Sequence, residues 1–284
     1  MQIRKLTILK YLILSLGIVA CNNKESNEPK YSFFIAGHTY GNPMKFQHGL
    51  YPPFVNTISY INSYPKMSFG ILAGDVVPKP TKEYWDSAIS DINKFSIPLH
   101  IAAGNHDRGV EFQKRFKNYY YHFKYENDLF IILSPTNWNI EKQQKEFLLQ
   151  TIENNYQQVK NLFIFCHELI WWSPENQFKN VEINYRPHYP GSTNYWTEIN
   201  PILDSLPNQV VIFAGDLGCT NKVSPYMHYK KDNITLIGTG MGGGEKDNIV
   251  IVEISDEGVP NYRLIDLNNA STSEMGILEE YTLP

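Results

Sequence analysis

Apolar residues come in five near-continuous runs along this chain, and each run ends in side chains able to bind a metal or a phosphate. Residues 31–36 run into Gly37-His38-Thr39-Tyr40-Gly41, and residues 69–73 into Gly74-Asp75. Residues 99–103 run into Gly104-Asn105-His106-Asp107, 161–166 into His167-Glu168, and 209–214 into Gly215-Asp216. Unbroken apolar runs of this length suit strands buried on both faces. Four of the five end across a glycine, which lets the backbone turn sharply and lets a ligand approach closely.

Helical spacing fills the gaps between the runs. Over 81–95, Tyr84, Trp85, Ala88, Ile89, Ile92 and Phe95 share one face, and Thr81 is placed to cap it. Over 141–158, Phe147, Leu148, Thr151, Ile152 and Tyr156 do the same. Residues 53–64 and 194–206 are further helices, the second interrupted by Pro201. Alternating strand and helix predicts an α/β fold, with ligands gathered beyond the carboxyl ends of the strands. Past Asn233 the chain turns strand-rich, at 234–237, 248–254 and 262–265, and these segments are expected to form a second sheet packed on the first. The glycines from Gly240 to Gly244 read as a loop under tight steric limits rather than a phosphate cradle, since no helix start or Lys-Ser/Thr follows.

Composition narrows the classes. The chain has 284 residues and a formal net charge of −4, so no broad basic surface invites nucleic acid. Neither an internal repeat nor a dividing linker appears, and residues 31–284 read as a single domain. The beginning is different. Arg4, Lys5 and Lys10 precede an apolar stretch over 11–20, followed by Ile18-Val19-Ala20-Cys21. This pattern is a secretory signal over 1–20 and resembles a bacterial lipobox, with Cys21 as the lipidated residue. The stretch is short of the roughly 20 apolar residues a membrane span needs. Polar residues 21–30 then form a flexible tether. An exported, membrane-anchored lipoprotein, periplasmic or at the cell surface, is expected. Export leaves a disulfide between Cys166 and Cys219 open.

In order and content the polar strand ends resemble the motifs of the calcineurin-like metallophosphoesterases, from about residue 31 to 244. Gly74-Asp75 matches the position of the metal-bridging Asp, Gly104-Asn105-His106-Asp107 matches the third motif outright, and His167 matches the fourth. The outer motifs depart. His38-Thr39-Tyr40 stands where the family has Asp-x-His, and Gly215-Asp216-Leu217-Gly218 where it has Gly-His-x-His. The resemblance implies two stacked mixed β-sheets flanked by helices. It also implies one or two divalent metal ions per chain.

Carried over residue by residue, one ion is held by Asp75, Asn105, His167 and Asp216. Three oxygens and one nitrogen favour Mn²⁺, Fe²⁺ or Mg²⁺ over Zn²⁺. A second ion keeps His38 and the shared Asp75. Tyr40 there is either a ligand or a packing residue, and Cys219 either replaces the missing histidine or is a small buried thiol. His106 is implied as the catalytic group that protonates the leaving alkoxide or polarises a phosphoryl oxygen, with Asp107 as its orienter. Arg108 is read as a phosphate contact or an exposed loop arginine. The aromatic stretch 171–196 either overhangs the site, offering Arg186 and His188 to an anionic substrate, or packs on the sheet edge. His188 is also a candidate for the missing metal ligand.

The expected activity is metal-dependent hydrolysis of a phosphomonoester or phosphodiester, on a glycan- or nucleotide-linked phosphate at the envelope. The competing expectation is a catalytically inactive domain of the same fold that binds a metal and an envelope glycan or phosphorylated ligand.

Overall fold

In the computed structural model, which describes residues 28–45, 47–186, 189–268 and 273–281, the apolar runs become strands. Along the chain these are β1 (Tyr31–Gly37), β2 (Met67–Ala73), β3 (Leu99–Ile101), β4 (Tyr121–Tyr125), β5 (Asp128–Ile132) and β6 (Asn161–Cys166). They continue as β7 (Gln209–Leu217), β8 (Tyr226–Lys231), β9 (Ile234–Gly240), β10 (Asn248–Ile254), β11 (Pro260–Asp266) and β12 (Glu274–Ile277). Two six-stranded mixed sheets result, ordered β12-β11-β10-β1-β2-β3 and β4-β5-β6-β7-β9-β8. Helices flank them, so the α/β architecture of two stacked mixed sheets holds. The expected signal segment, Cys21, most of the expected tether and His188 lie outside the described residues.

Side-chain alternation explains the unbroken apolar runs. Along β1, Phe33 and Ile35 face the other sheet, while Phe34 and Ala36 face the helices. Along β6, Phe163 and Phe165 point between the sheets, and Leu162, Ile164 and Cys166 point to the opposite layer. Both faces of each strand are therefore dry. Aromatic rings lock the sheets together. Phe33 lies 5.3 Å from Phe130 and 5.2 Å from Phe163, both edge-on, and within the second sheet Phe165 stacks on Phe213 at 5.2 Å. Such pairs contribute about 0.5–1.5 kcal/mol each beyond the area they bury.

The arrangement of strands differs from the expectation in one respect that matters for the site. The C-terminal strands do not make a sheet of their own. β9 joins β7 in parallel, whereas β10 and β11 extend the first sheet, with β10 antiparallel to β1. The five polar strand ends are thus divided, three on one sheet and two on the other, and the site lies where the sheets meet.

Helix α3 (Lys82–Ile92) starts where the cap predicts, and Thr81 Oγ1 accepts from the Tyr84 N–H at 3.4 Å. The expected 53–64 helix is instead two short helices, α1 (Pro52–Asn56) and α2 (Ile58–Ser63), broken at Thr57, whose hydroxyl bonds back to the Phe54 carbonyl. Helix α4 (Val110–Phe116) follows the third motif, and α5 (Lys142–Asn155) covers the second sheet. Pro201 does not interrupt a helix. It lies in the first turn of α6 (Asn200–Asp204), where its missing N–H costs nothing, after a π-turn over Tyr195–Ile199.

Candidate metal centre

Backbone contact between the sheets brings the polar strand ends together. A Cβ on Gly215 would stand 1.9 Å from the Ala73 carbonyl oxygen, and one on Gly37 would stand 2.5 Å from Gly215 Cα. Only glycine permits that approach. Immediately beyond it, His38 and Asp75 both take left-handed backbone angles, φ 53° and 52°. Non-glycine residues rarely do so, and such strain collects where function holds a side chain in place.

Asp75 is the hub. Its Oδ1 lies 3.3 Å from His167 Nε2 and accepts from the His106 N–H at 3.2 Å, while Oδ2 lies 3.6 Å from His38 Nε2. Asp216 Oδ1 approaches His167 Nε2 at 3.6 Å from the other side. His167 Nδ1 sits 3.0 Å from the Ala73 carbonyl, which can only accept, so that nitrogen carries the proton. Nε2 is then the free ring position, buried and without a hydrogen-bond partner, facing two carboxylate oxygens. Only a proton or a cation can occupy that position.

The electrostatics say the same. Burial alone would lower the pKa of His167, but the Asp75 and Asp216 carboxylates outweigh it and raise it well above the usual value. Burial alone would raise Asp75, yet the imidazoles of His167, His38 and His106 hold it below the usual range. For His38 burial wins over the attraction of Asp75, and its pKa falls. The donors thus fit a cation, but the arrangement is open: among the described residues no three His, Cys, Asp or Glu side chains form a ready-made metal cage. Asn105, exposed at the mouth, is the remaining candidate donor. An open cleft of about 270 Å³ covers the cluster and is lined by Asn105, His106, Tyr40, Tyr185 and Cys219 among others. A larger cleft of about 520 Å³ lies alongside, bordered by Gly218, Thr220 and Asp247, and is lined by none of the cluster side chains.

Several expected roles change. Asp107 does not orient His106. It is fully buried, and its carboxylate accepts three backbone N–H groups, from Val76 at 2.8 Å, Val77 at 3.1 Å and Gly104 at 2.8 Å. It ties the Asp75 loop to the Asn105 loop. Burial, reinforced by the Asp75 charge, pushes it up to about 7. The Pro78 carbonyl orients His106 instead, 2.8 Å from Nδ1.

Arg108 is turned away from the cleft. Its guanidinium donates to the Ser134 carbonyl at 2.5 Å, Ser134 Oγ at 2.8 Å and the Pro135 carbonyl at 3.0 Å, and lies over the Tyr119 ring. Arg186 pairs with Glu182 at 2.9 Å and covers Trp172, and it does not line the cleft. The aromatic stretch mostly packs. Trp171, Trp172 and Tyr195 are buried in the core, and Asn184 and Tyr185 alone of its described residues line the cleft. Asn184 carried no periodic or motif signal in the sequence, yet its Nδ2 donates to Asp216 Oδ1 at 2.7 Å.

The altered motif positions are built into the packing. Tyr40 is buried, its ring 4.4 Å from that of His38 and 5.3 Å from that of His106. Burial first, and then the Asp75 charge, raises its phenol pKa. Gly218 has φ 71°, and a Cβ there would stand 2.8 Å from the carbonyl carbon and oxygen of Gly240, so no histidine fits without moving β9. Burial, with help from Asp216 and Asp75, pushes the Cys219 thiol up to about 12, and Cys166 and Cys219 are both free thiols. The Gly240–Gly244 loop is a tight turn: Gly242, Gly243 and Gly244 direct their N–H groups at Asp247 Oδ1, which fills the cradle with a carboxylate of the chain itself.

Comparison with known proteins follows the same outline. The family model described as calcineurin-like phosphoesterase matches residues 47–218, a span that includes Asp75, Asn105, His167 and Asp216 and begins after His38 and Tyr40. Among solved structures, a dimetal phosphatase from Danio rerio is similar in fold, with a TM-score of 0.55 at 12% identity, covering 88% of this chain and 99% of that one. Vps29 from Chaetomium thermophilum matches with a TM-score of 0.35 at 9% identity, covering 83% of this chain and 95% of that one. The phosphopantetheinyl hydrolase of Mycobacterium tuberculosis matches at 0.39 and 9%, over 76% and 90%. No curated protein sequence matches the chain significantly.

Proposed function

The chain belongs to the calcineurin-like phosphoesterase family, and on that premise we propose that it is a divalent-metal-dependent phosphoester hydrolase. The observation that carries this reading is His167 Nε2, buried and without a hydrogen-bond partner between the Asp75 and Asp216 carboxylates, where a cation fits. Asp75, Asn105, His167 and Asp216 would hold the ion, a set that favours Mn²⁺, Fe²⁺ or Mg²⁺ over Zn²⁺. When bound, the ion neutralises phosphoryl oxygens and acidifies a water.

The remaining steps fall to the chain. With its Nδ1 proton held by the Pro78 carbonyl, His106 keeps Nε2 to carry the proton delivered to the leaving oxygen. Tyr40 packs on both His38 and His106 and closes that side of the cleft against water. Tyr185, which lines the cleft and is 53% exposed, supports a substrate whose phosphate carries a sugar or a nucleobase. In this reading a lipid on Cys21 anchors the exported chain at the envelope.

A second reading has its own support. Because Gly218 is packed against Gly240, the second metal position lacks the ligand a two-ion centre needs, which suits a domain that binds one ion and a phosphorylated glycan without hydrolysing it. Elemental analysis of the full chain, followed by assays on phosphomonoesters and phosphodiesters with Mn²⁺, Fe²⁺, Mg²⁺ and Zn²⁺, decides between them. Turnover that His106→Ala slows while the metal stays bound supports the hydrolase. A folded, metal-loaded chain with no turnover on any substrate refutes it.

A further inference from the structure

Asn184 bridges both ends of the segment that carries Asp216. Its Nδ2 donates to Asp216 Oδ1 at 2.7 Å, and its Oδ1 accepts from the Cys219 N–H at 3.1 Å. Asp216 stands on an irregular stretch of β7, where the register with β9 slips between Ala214 and Leu217. Bulges of this kind disrupt the ladder locally and re-aim a side chain. The backbone around it is held elsewhere: the N–H groups of Gly215 and Asp216 both reach the His167 carbonyl, at 2.9 and 3.0 Å. Asp216 Oδ1, by contrast, has Asn184 as its hydrogen-bond donor, with His167 Nε2 more distant at 3.6 Å.

The loop that presents Asn184 is separately anchored. Glu182 N–H donates to Ser224 Oγ at 3.0 Å, and Ser224 N–H donates to the Glu182 carbonyl at 2.8 Å. Loop anchoring and carboxylate orientation therefore rest on different groups and can be separated by substitution.

We propose that Asn184 is a positioning residue of the metal centre, aiming the Asp216 carboxylate at the ion and joining its own loop to it. This rests on the metal-dependent reading given above. Partners that orient metal-binding carboxylates typically contribute about 10–100-fold to metal affinity. Through Asn184 the loop that carries Tyr185 is coupled to a metal ligand.

The test is Mn²⁺ affinity, read by electron paramagnetic resonance on the full chain without substrate. N184A and N184S are expected to bind Mn²⁺ about 10–100-fold more weakly, and S224A, which loosens the loop without touching Asp216, to stay within about twofold of wild type. Equal Mn²⁺ affinity in wild type and both Asn184 variants overturns this inference and leaves the metal-dependent reading intact. Equal weakening in S224A also overturns it, because loop anchoring would then account for the effect. A wild-type chain that binds no Mn²⁺, Fe²⁺ or Mg²⁺ overturns both.

Discussion

Replacing Asp107 with alanine separates a structural carboxylate from a catalytic one. The wild-type side chain is fully buried and accepts the N–H groups of Val76, Val77 and Gly104. Alanine leaves three buried donors without a partner, at about 1–3 kcal/mol each, or roughly 3–9 kcal/mol gross. Relief of the repulsion between Asp107 and Asp75 offsets part of this, so a net loss of about 3 kcal/mol is expected. For a domain of this size that lowers Tm by about 6–12 °C. The measurement is thermal and urea unfolding of the metal-free chain, which keeps metal loss out of the comparison. Asp107→Asn should recover about half of the deficit, since one oxygen can still take the Val76 and Val77 donors while its amide opposes Gly104. Because Pro78 holds His106, residual hydrolysis by folded Asp107→Asn should exceed that of His106→Ala. Unchanged unfolding of Asp107→Ala, together with a rate as low as that of His106→Ala, would refute this reasoning and return Asp107 to the role of orienter.

The other predictions are simpler to state. Gly218→His should not create a second metal position, because its backbone lies at φ 71° and its Cβ would press on Gly240. The expected result is a stability loss of about 1–3 kcal/mol with an unchanged metal count by elemental analysis, and a gained ion would contradict it. Arg108→Gln breaks the guanidinium contacts to Ser134 and Pro135 and should cost about 2–3 kcal/mol in urea unfolding with KM nearly constant, whereas a several-fold rise in KM at full stability would make Arg108 a substrate residue after all. His100→Phe should flatten the acid side of the stability curve. Burial lowers His100 from 6.5 to about 4, so the unfolded chain takes the proton first. Its contribution is present in full above pH 6.5 and is lost as pH falls through about 4, at most about 3 kcal/mol. Phenylalanine keeps the stack on Phe123, and a wild-type and variant difference that stays constant between pH 7 and 4 would contradict this account.

Much of the molecule was legible from the order of residues alone. Unbroken apolar runs identified β1, β2, β6, β7 and β10 because strands dry on both faces leave no polar alternation. The polar residues at their carboxyl ends, His38, Asp75, His167 and Asp216, could be named in advance because the last residues of such a strand bring their side chains to the sheet edge. The edge strands β4 and β12 were not legible. β4 and β12 take their partners from β5 and β11, and pairing is a property of the neighbour as much as of the segment.

Tertiary structure alone decided which role each polar residue holds. Asp107 and Arg108 follow Asn105 and His106 directly, yet one is drawn under by three backbone amides and the other by the Ser134 loop. Asn184 reached Asp216 from 32 positions away with no pattern to announce it. The physical reason is one of range. Apolar periodicity is a local signal, repeated every two or four residues, and it fixes which face of an element is dry. A hydrogen bond or a carboxylate pair is satisfied by whatever group the packed chain brings within 3 Å, and that is known only once both sheets are in contact.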